Sequence, residues 1–477
     1  MEHHLLAISP IDGRYTDKVG YLSQYFSEAA LMRYRTLIEV EWLIYLFNEV
    51  ELEGTKRLDS MELRLLRGIY EQFDTLNAMR VKEFEKTTNH DVKAIEYFIK
   101  EQLKDGPLEQ YLEFIHFGCT SEDINNLAYS CMIRDFLERE LYVVLSGLVQ
   151  EIHAMAVTNK SVAMMSRTHG QPASPTTLGK ELINFVSRLE RELGFLMNGK
   201  FIEGKINGAV GNFNAHDFVY PGVDWVNVSK EFVESLGFEV NMYSTQIEQH
   251  DGYAEVFDAV KRINTIILDF DKDMWGYISL GYFGQRVVEG EVGSSTMPHK
   301  VNPIDFENSE GNLGIANALL EHFSSKLPIS RMQRDLTDST VLRNVGMAFA
   351  YCILSYKATI RGLAKCIPNK KLIQDDLSEK WELLAEPIQM IMRKNLIPGA
   401  YEKLKELTRG KDGLSKASVS KFIKSLKLPK DDEKRALALT PDSYVGLAEK
   451  LVDSYELKIG SNGGCGPSGC GSCQGCG

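Results

Sequence analysis

The feature that most constrains the fold of this chain is a set of long segments whose apolar residues recur at helical spacing. Near residues 120–157, 175–200 and 252–280 the apolar positions form stripes of this kind. In the second segment they are separated by steps of 4, 3, 4, 4 and 3 residues, at Leu178, Leu182, Phe185, Leu189, Leu193 and Leu196. Such stripes predict long helices that bury one face against other helices, as in a bundle.

Strict alternation of apolar and polar residues is almost absent, and no strand–helix–strand rhythm is seen. We therefore predict an all-α protein, in which the second long helix begins at Pro175 with Ser174 as its cap. The expected organisation is an N-terminal helical domain at 1–119, a central long-helix domain at 120–365, a C-terminal helical domain at 366–459 and a disordered Gly- and Cys-rich tail at 460–477. Because one chain supplies few helices of this length, we expect the bundle to form by oligomerisation.

The net charge of −12 argues against general binding to nucleic acid or to anionic membranes. No apolar run approaches the ~18 residues of a membrane span, and residues 1–15 do not resemble a secretory signal. Four cysteines are scattered through the body and do not resemble a disulfide framework, which predicts a cytoplasmic location. They are Cys119, Cys131, Cys352 and Cys366.

The other four cysteines crowd the last 13 residues of the chain, at Cys465, Cys470, Cys473 and Cys476. Their spacing is compatible with a soft-metal site. The surrounding glycine-rich sequence favours a flexible appendage instead, and we prefer that interpretation. No metal site is therefore predicted.

The densest chemistry lies in residues 290–303, where glycines and prolines disfavour a regular helix or strand. The segment combines two adjacent hydroxyls, an imidazole, an ammonium and an amide, at Ser294, Ser295, His299, Lys300 and Asn302. A loop of this kind between helices is typical of an active site that handles anions, more than of a plain connection.

Two further segments place a histidine beside hydrogen-bonding residues. In the first, Thr88 or Asn89 is predicted to cap a helix whose N-terminus, near His90 and Asp91, is a natural anion site. In the second, His169 lies on a predicted loop. It is a candidate general acid or base, although a histidine bonded only to its own loop is about equally compatible with the sequence.

Two more segments suggest helix starts and anion binding. Thr120 to Asp123 has the form of a capping box, which predicts that a long helix begins there. Arg331, Arg334 and Arg343 lie within 13 residues of an otherwise acidic chain. Arginines grouped in this way indicate a site for an anion.

Residues 293–303, Gly-Ser-Ser-Thr-Met-Pro-His-Lys-Val-Asn-Pro, resemble the mobile catalytic loop of the fumarase/aspartase superfamily of lyases. Two other segments narrow the resemblance to one family of that superfamily, the bacterial branch of the adenylosuccinate lyases. They are Ser-Arg-Thr-His-Gly-Gln-Pro at 166–172 and Thr-Thr-Asn-His-Asp-Val-Lys at 87–93. The carboxymuconate cycloisomerases share the His-Lys pair of the loop and are the nearest alternative. Another lyase of the superfamily and a non-catalytic helical scaffold also stay open.

The resemblance covers about residues 8–457 and leaves the Cys-rich tail unexplained. It implies a three-domain fold and a homotetramer, with a central bundle built from four chains and active sites that each draw on three of them. It implies β-elimination of fumarate from two succinyl nucleotides of purine synthesis, adenylosuccinate and succinyl-aminoimidazole-carboxamide ribotide. No metal or redox cofactor is implied.

The same resemblance assigns roles to individual residues. Ser294 is expected to act as the base and His169 as the acid that protonates the departing nitrogen. Lys300 would supply the positive charge that stabilises the serine alkoxide and the carbanion, and His90 would hold the succinyl group. The expected substrate contacts are Arg14, Tyr15, Asn89, Asp91, Thr120, Ser121, Gln246, Asn302, Asn308, Arg334, Ser339 and Arg343.

Overall fold

The computed structural model describes residues 2–286, 297, 300–408 and 414–459. The helices of the N-terminal part are α1 (Glu2–Leu5), α2 (Thr16–Val19), α3 (Ser23–Phe26), α4 (Glu28–Asn48), α5 (Ser60–Glu71), α6 (Thr75–Thr88) and α7 (Asp91–Leu103). Those of the central part are α8 (Ser121–Phe136), α9 (Tyr142–Thr158), α10 (Leu178–Asn198), α11 (Asn214–Val219), α12 (Trp225–Ser235), α13 (Asp251–Ser279), α14 (Ile304–Lys326), α15 (Thr337–Leu342) and α16 (Val345–Lys365).

The C-terminal helices are α17 (Lys370–Ser378), α18 (Ala385–Lys394), α19 (Ala400–Thr408), α20 (Lys416–Ser425), α21 (Lys430–Ala438) and α22 (Ala448–Asp453). Short strands form three two-stranded pairs, β1 (Ala163–Thr168) with β2 (Gln171–Thr177), β3 (Glu203–Gly204) with β4 (Glu239–Val240), and β5 (Phe283–Gln285) with β6 (Cys366–Pro368). Helix and 3-10 turns therefore dominate the described chain, and the predicted all-α fold class is confirmed.

Five long helical rods form the centre of the molecule. A π segment, Leu137–Leu141, joins α8 and α9 into one rod of 38 residues, Ser121–Thr158. α10 packs against α9 and α13, and α16 packs against α14 and α9. The three long helices predicted from their stripes are present, and α14 and α16 complete the bundle.

The rod Ser121–Thr158 is also long and apolar enough, by length and composition alone, to cross a membrane. Core helices of globular proteins meet the same criterion. Only 33% of its most apolar stretch is buried within the chain. Val143 on this rod is 59% exposed, so part of its apolar surface has no cover within one chain.

The start of α10 differs from the prediction. All six residues of its stripe are buried, but the helix begins at Leu178, with the hydroxyl of Thr177 accepting the N–H of Lys180 at 3.2 Å. Pro175 lies instead at the point where the register of β1 and β2 shifts. A bulge tolerates proline because its missing N–H removes no ladder hydrogen bond there.

The bundle core contains two polar layers, one heptad apart on α13. In the first, the amide of Asn264 donates to Asn317 at 2.9 Å. In the second, the Thr359 hydroxyl lies 2.9 Å from both Asp271 and Ser309. Burial raises the pKa of Asp271 to about 8, so this carboxyl is mainly protonated at neutral pH.

Asn264 pairs with Asn317, and Asp271 shares a layer with Ser309, so α13 and α14 run antiparallel. Each end of the bundle therefore holds one terminus of each helix. At the upper end α13 starts at Asp251 and α14 ends at Lys326; at the lower end α13 finishes at Ser279 and α14 starts at Ile304. α13 has 29 residues, which places the two ends about 42 Å apart.

One continuous hydrophobic core extends from Val19 to Ile373 and includes Val452 of α22. A second, smaller core groups buried residues between Leu384 and Ala436. Because the main core joins the N-terminal helices to the bundle, the packing does not test the predicted boundaries at 119/120 and 365/366, and these stay a prediction.

Candidate active site

The N-terminus of α7 is built differently from the prediction. Thr88 ends α6, and Asn89 adopts a left-handed conformation with φ of 49°, so neither residue caps α7. The cap is His90, whose Nδ1 accepts the N–H of Lys93 at 3.2 Å. Asp91 follows in the first turn, where the helix dipole favours a carboxylate.

Asp91 is held between two arginines. Its Oδ2 lies 2.8 Å from the guanidinium of Arg35, on α4, and 3.5 Å from that of Arg343. Burial alone would raise the pKa of Asp91, but the Arg35 charge and the N–H of Val92 outweigh burial and lower it. Asp91 is therefore a fixed negative charge that orients Arg343.

Arg343 also borders a cavity of about 740 Å³. Asp12 and Thr16 of the N-terminal turn also line it, and that turn carries the exposed Arg14 and the half-buried Tyr15. Arg343 donates to the carbonyl oxygen of Ser339 at 2.8 Å. Of the predicted substrate contacts, Arg343 therefore lines the cavity itself, and Arg14 and Tyr15 lie on the chain between two of its lining residues.

The start of α8 matches the predicted capping box. The N–H of Thr120 donates to the carboxylate of Asp123 at 2.7 Å, and the helix begins at Ser121. Asp123 is fully buried and pairs with the equally buried Lys205 at 2.9 Å. It also accepts the N–H of Asn207 at 3.0 Å, which ties the glycine-rich segment after β3 to the start of α8.

Arg334 lies beside this helix start. It contacts Glu122 at 2.9 Å and the Gln246 side-chain oxygen at 3.3 Å. Gln246 in turn donates to the carbonyl oxygen of Ala209 at 2.9 Å. Burial raises the pKa of Glu122, although the Arg334 charge opposes the shift.

These groups form one assembly near the upper end of the bundle, which we call the upper cluster. It combines Arg343 at the cavity, Arg334 beside the start of α8 and the N-terminus of α7, a set that suits the binding of a multiply charged anion. Its members are Arg14, Tyr15, Asn89, His90, Asp91, Thr120, Ser121, Gln246, Arg334, Ser339 and Arg343.

The other predicted residues lie toward the lower end of the bundle. His169 and Gly170 form the two-residue turn between β1 and β2, and their φ values of 55° and 74° are those of a type I′ turn. The imidazole is exposed. Below the turn, the hairpin residue Thr168 and Tyr277 of α13 line a cavity of about 410 Å³.

Lys300, Asn302 and Asn308 also belong to this end, since they precede or begin α14. Lys300 is exposed, and Asn302 and Asn308 are half-buried. Ser294, the predicted base, lies outside the described residues, as do its neighbours Ser295 and His299. We call Lys300, Asn302, Asn308 and His169 the lower cluster.

The two clusters are separated by the length of the bundle, about 42 Å along α13. Gln246 precedes the start of α13 and Arg334 follows the end of α14, whereas Lys300, Asn302 and Asn308 lie at the start of α14. The hairpin that carries His169 shares a cavity with Tyr277, near the end of α13. One chain therefore does not bring His90 and His169 onto the same small substrate.

The sequence prediction missed Arg35, Glu122, Asn125 and Lys205. Arg35 falls between Leu31 and Ile38 on the apolar stripe of α4 and is only 3% exposed. A charge on a buried stripe requires a partner, so that position was a detectable signal. Among the described residues, no group of three or more His, Cys, Asp and Glu side chains is arranged to hold a metal.

Comparison with known proteins finds lyases among the relatives of this chain. Residues 13–317 match the family described as lyase, and residues 330–445 match the adenylosuccinate lyase C-terminal family. The chain is 51% identical over 450 residues to an adenylosuccinate lyase of Haemophilus influenzae, covering 94% of this chain and 98% of the relative. It is 50% identical over 455 residues to an adenylosuccinate lyase of Escherichia coli, covering 95% and 99%.

Two solved structures share the fold at low sequence identity. A 3-carboxy-cis,cis-muconate lactonizing enzyme from Pseudomonas putida has a TM-score of 0.71 at 18% identity, covering 91% of this chain and 95% of the other. A fumarate lyase from a Mesorhizobium species has a TM-score of 0.70 at 16% identity, covering 91% and 96%.

Proposed function

The chain belongs to the adenylosuccinate lyase family of the fumarase/aspartase superfamily, and we propose that it eliminates fumarate from adenylosuccinate, giving AMP. We propose the same elimination from succinyl-aminoimidazole-carboxamide ribotide. The chain is a lyase of a family that acts on small molecules. The observation that carries the proposal is 51% identity over 94% of the chain to a relative of that name.

The upper cluster is proposed to bind the nucleotide end and the succinyl group. Arg343 leaves 55% of its side chain exposed and borders the large cavity, so its guanidinium is placed for a phosphate. Arg14, Arg334 and Ser339 are proposed to share that role. His90 and the N-terminus of α7 would hold a succinyl carboxylate, as helix N-termini favour anions.

The lower cluster and the segment before it are proposed to perform the chemistry. Ser294 removes the proton next to a carboxylate, and Lys300 and Asn302 stabilise the charge that then develops on that carboxylate. His169 donates a proton to the departing nitrogen. The exposed position of His169 on a rigid two-residue turn supports this role, because it presents the ring beyond its own chain.

We propose that each site combines clusters from different chains of a homotetramer. The ~42 Å between the upper and lower clusters supports this, since no substrate of this class bridges that distance. The partly uncovered apolar rod Ser121–Thr158 and the half-exposed Trp275 of α13 offer surface for helices of other chains.

A cytoplasmic location is also proposed. Its support is that the four cysteines of the described chain, Cys119, Cys131, Cys352 and Cys366, are all free thiols. Three of them, Cys131, Cys352 and Cys366, are buried, and free thiols are typical of a reducing compartment.

The direct test is to incubate the purified protein with adenylosuccinate, argininosuccinate and carboxymuconate separately and to measure fumarate or lactone formation. We expect fumarate from adenylosuccinate alone. Ser294→Ala should abolish its release, while the matched control Ser425→Ala, at the end of α20, should retain it. Near-normal turnover by the Ser294 variant would contradict the base assignment, and lactone formation would favour the cycloisomerase alternative.

A further inference from the structure

Arg35 is a buried cation in the first half of α4, and both ends of its guanidinium are engaged. One end lies 2.8 Å from Asp91, at the start of α7. The other donates from Nε to the side-chain oxygen of Asn125, on α8, also at 2.8 Å. With 3% of its surface exposed, Arg35 has no access to a substrate.

The contacts continue on the far side of Asn125. Its amide donates to Glu122 at 2.7 Å, and the same carboxylate oxygen accepts from Arg334 at 2.9 Å. An unbroken series of polar contacts therefore runs from Arg343 through Asp91, Arg35, Asn125 and Glu122 to Arg334. Cations and carboxyl groups alternate along it apart from the neutral Asn125, and Arg35 links the Asp91 end to the Glu122 end.

We propose that Arg35 is a positioning residue that holds Asp91 away from Arg343, so that Arg343 stays available to the phosphate of the substrate. This inference rests on the proposed function of the upper cluster. Both arginines contact the same oxygen of Asp91, and Arg35 is the nearer: Oδ2 lies 2.8 Å from Arg35 and 3.5 Å from Arg343.

Removing Arg35 leaves Asp91 two outcomes. The carboxylate either moves onto Arg343 and neutralises it, or it takes up a proton. Protonation follows because burial raises the pKa of Asp91 and the Arg35 charge no longer opposes that rise. In the first outcome the phosphate loses its cation; in the second, Arg343 loses its orienting partner. Both weaken the binding of the substrate anion.

The groups that face Asp91 come from three other elements and its own turn. They are Arg35 of α4, Arg343 after α15, Tyr129 of α8 and His90, whose Nδ1 is 4.0 Å away. Burial raises the pKa of Tyr129 to about 12, so this phenol is uncharged near neutral pH. The arginines therefore determine the charge of Asp91.

The test compares Arg35→Gln and Arg35→Lys with Arg67→Gln. Arg67 is a control for the loss of an arginine–carboxylate pair: it contacts Glu41 through two nitrogens at 2.8 and 3.1 Å, is 44% exposed and lies outside the upper cluster. The measurements are KM and kcat for adenylosuccinate, the pH profile of kcat/KM, the Kd for AMP and the thermal unfolding midpoint.

For Arg35→Gln we expect KM and the Kd for AMP to rise about tenfold or more, since one partner of a buried charge pair is lost. The acid limb of kcat/KM should move to higher pH. Arg35→Lys should restore the acid limb but only part of the affinity, because it keeps the charge and lacks the planar fork. Arg67→Gln should leave all of these unchanged.

Wild-type KM, AMP affinity and pH profile in Arg35→Gln would overturn the proposal, even if the unfolding midpoint falls. Equal changes in Arg67→Gln would overturn it too, because they would show a general loss of stability. If Arg35→Gln does not fold, Arg35→Lys decides, and wild-type AMP affinity in that variant overturns the proposal. These outcomes differ from a failure of the proposed function itself, in which the wild-type protein would release no fumarate from adenylosuccinate.

Discussion

The separation of the two clusters predicts that inactive variants restore each other. His90→Ala removes a group of the upper cluster, and His169→Ala removes one of the lower cluster. Each pure variant should release almost no fumarate, because every site lacks one histidine. The clusters lie toward opposite ends of α13, which is about 42 Å long, and in the proposed shared site they come from different chains.

The expected recovery follows from random assembly. In an equal mixture, half of the upper clusters and half of the lower clusters are intact, and the two are drawn from different chains. About one quarter of the sites then carry both histidines, and activity should return to about one quarter of the wild-type value.

The assay is fumarate release after co-expression of the two variants with different affinity tags and isolation of mixed oligomers. A control mixture pairs His90→Ala with Arg343→Ala. Both changes lie in the upper cluster, so no site regains an intact one and activity should stay near zero. Absence of recovery in the first mixture, with mixed oligomers demonstrated, would refute the shared-site argument.

Three further predictions concern the scaffold. Lys205→Met should destabilise the protein by about 3–5 kcal/mol in chemical denaturation, because it leaves the buried Asp123 unpaired, and Asp123→Asn in the same chain should recover part of this. The pKa of Asp271 is raised to about 8, so the folded state binds this proton more tightly than the unfolded state does. The protonated carboxyl therefore contributes fully to stability below about pH 4, and this contribution is lost as the pH rises to about 8. Asp271→Asn should remove that decline, seen as a flatter plot of unfolding free energy against pH. Gly179→Ala should cost about 1–3 kcal/mol, because its Cβ would lie 2.3 Å from the carbonyl oxygen of Ala156. Gly68→Ala on α5, whose Cβ would meet only the Gln72 side chain at 3.9 Å, should stabilise by about 0.5–1 kcal/mol in thermal melts.

The sequence predicted the parts of the fold that depend on local periodicity. The stripe from Leu178 to Leu196 is buried throughout α10, and the capping box at Thr120 starts α8. A prediction was wrong where one residue is compatible with two local backbone structures. Pro175 is compatible with a helix start or a strand bulge, and the pairing with β1 decides in favour of the bulge.

Site contacts were less predictable because they join distant segments. Asp91 was recognised as a first-turn carboxylate, but its partner Arg35 lies 56 residues earlier, and Glu122 lies 212 residues before Arg334. Nothing in a local pattern specifies such pairs, since they arise when α4, α7 and α8 pack together. The buried position of Arg35 on the α4 stripe was the one local sign of them.

The cap of α7 has a consequence for how His90 can take part in the reaction. Its Nδ1 accepts the backbone N–H of Lys93, so in the neutral imidazole the proton resides on Nε2. The ring therefore presents an N–H donor outward, and the backbone fixes this tautomer. A donor of that kind polarises or anchors a substrate oxygen and does not take a proton from carbon. For the proposed role of His90, the cap therefore favours anchoring a substrate oxygen over accepting a proton at Nδ1.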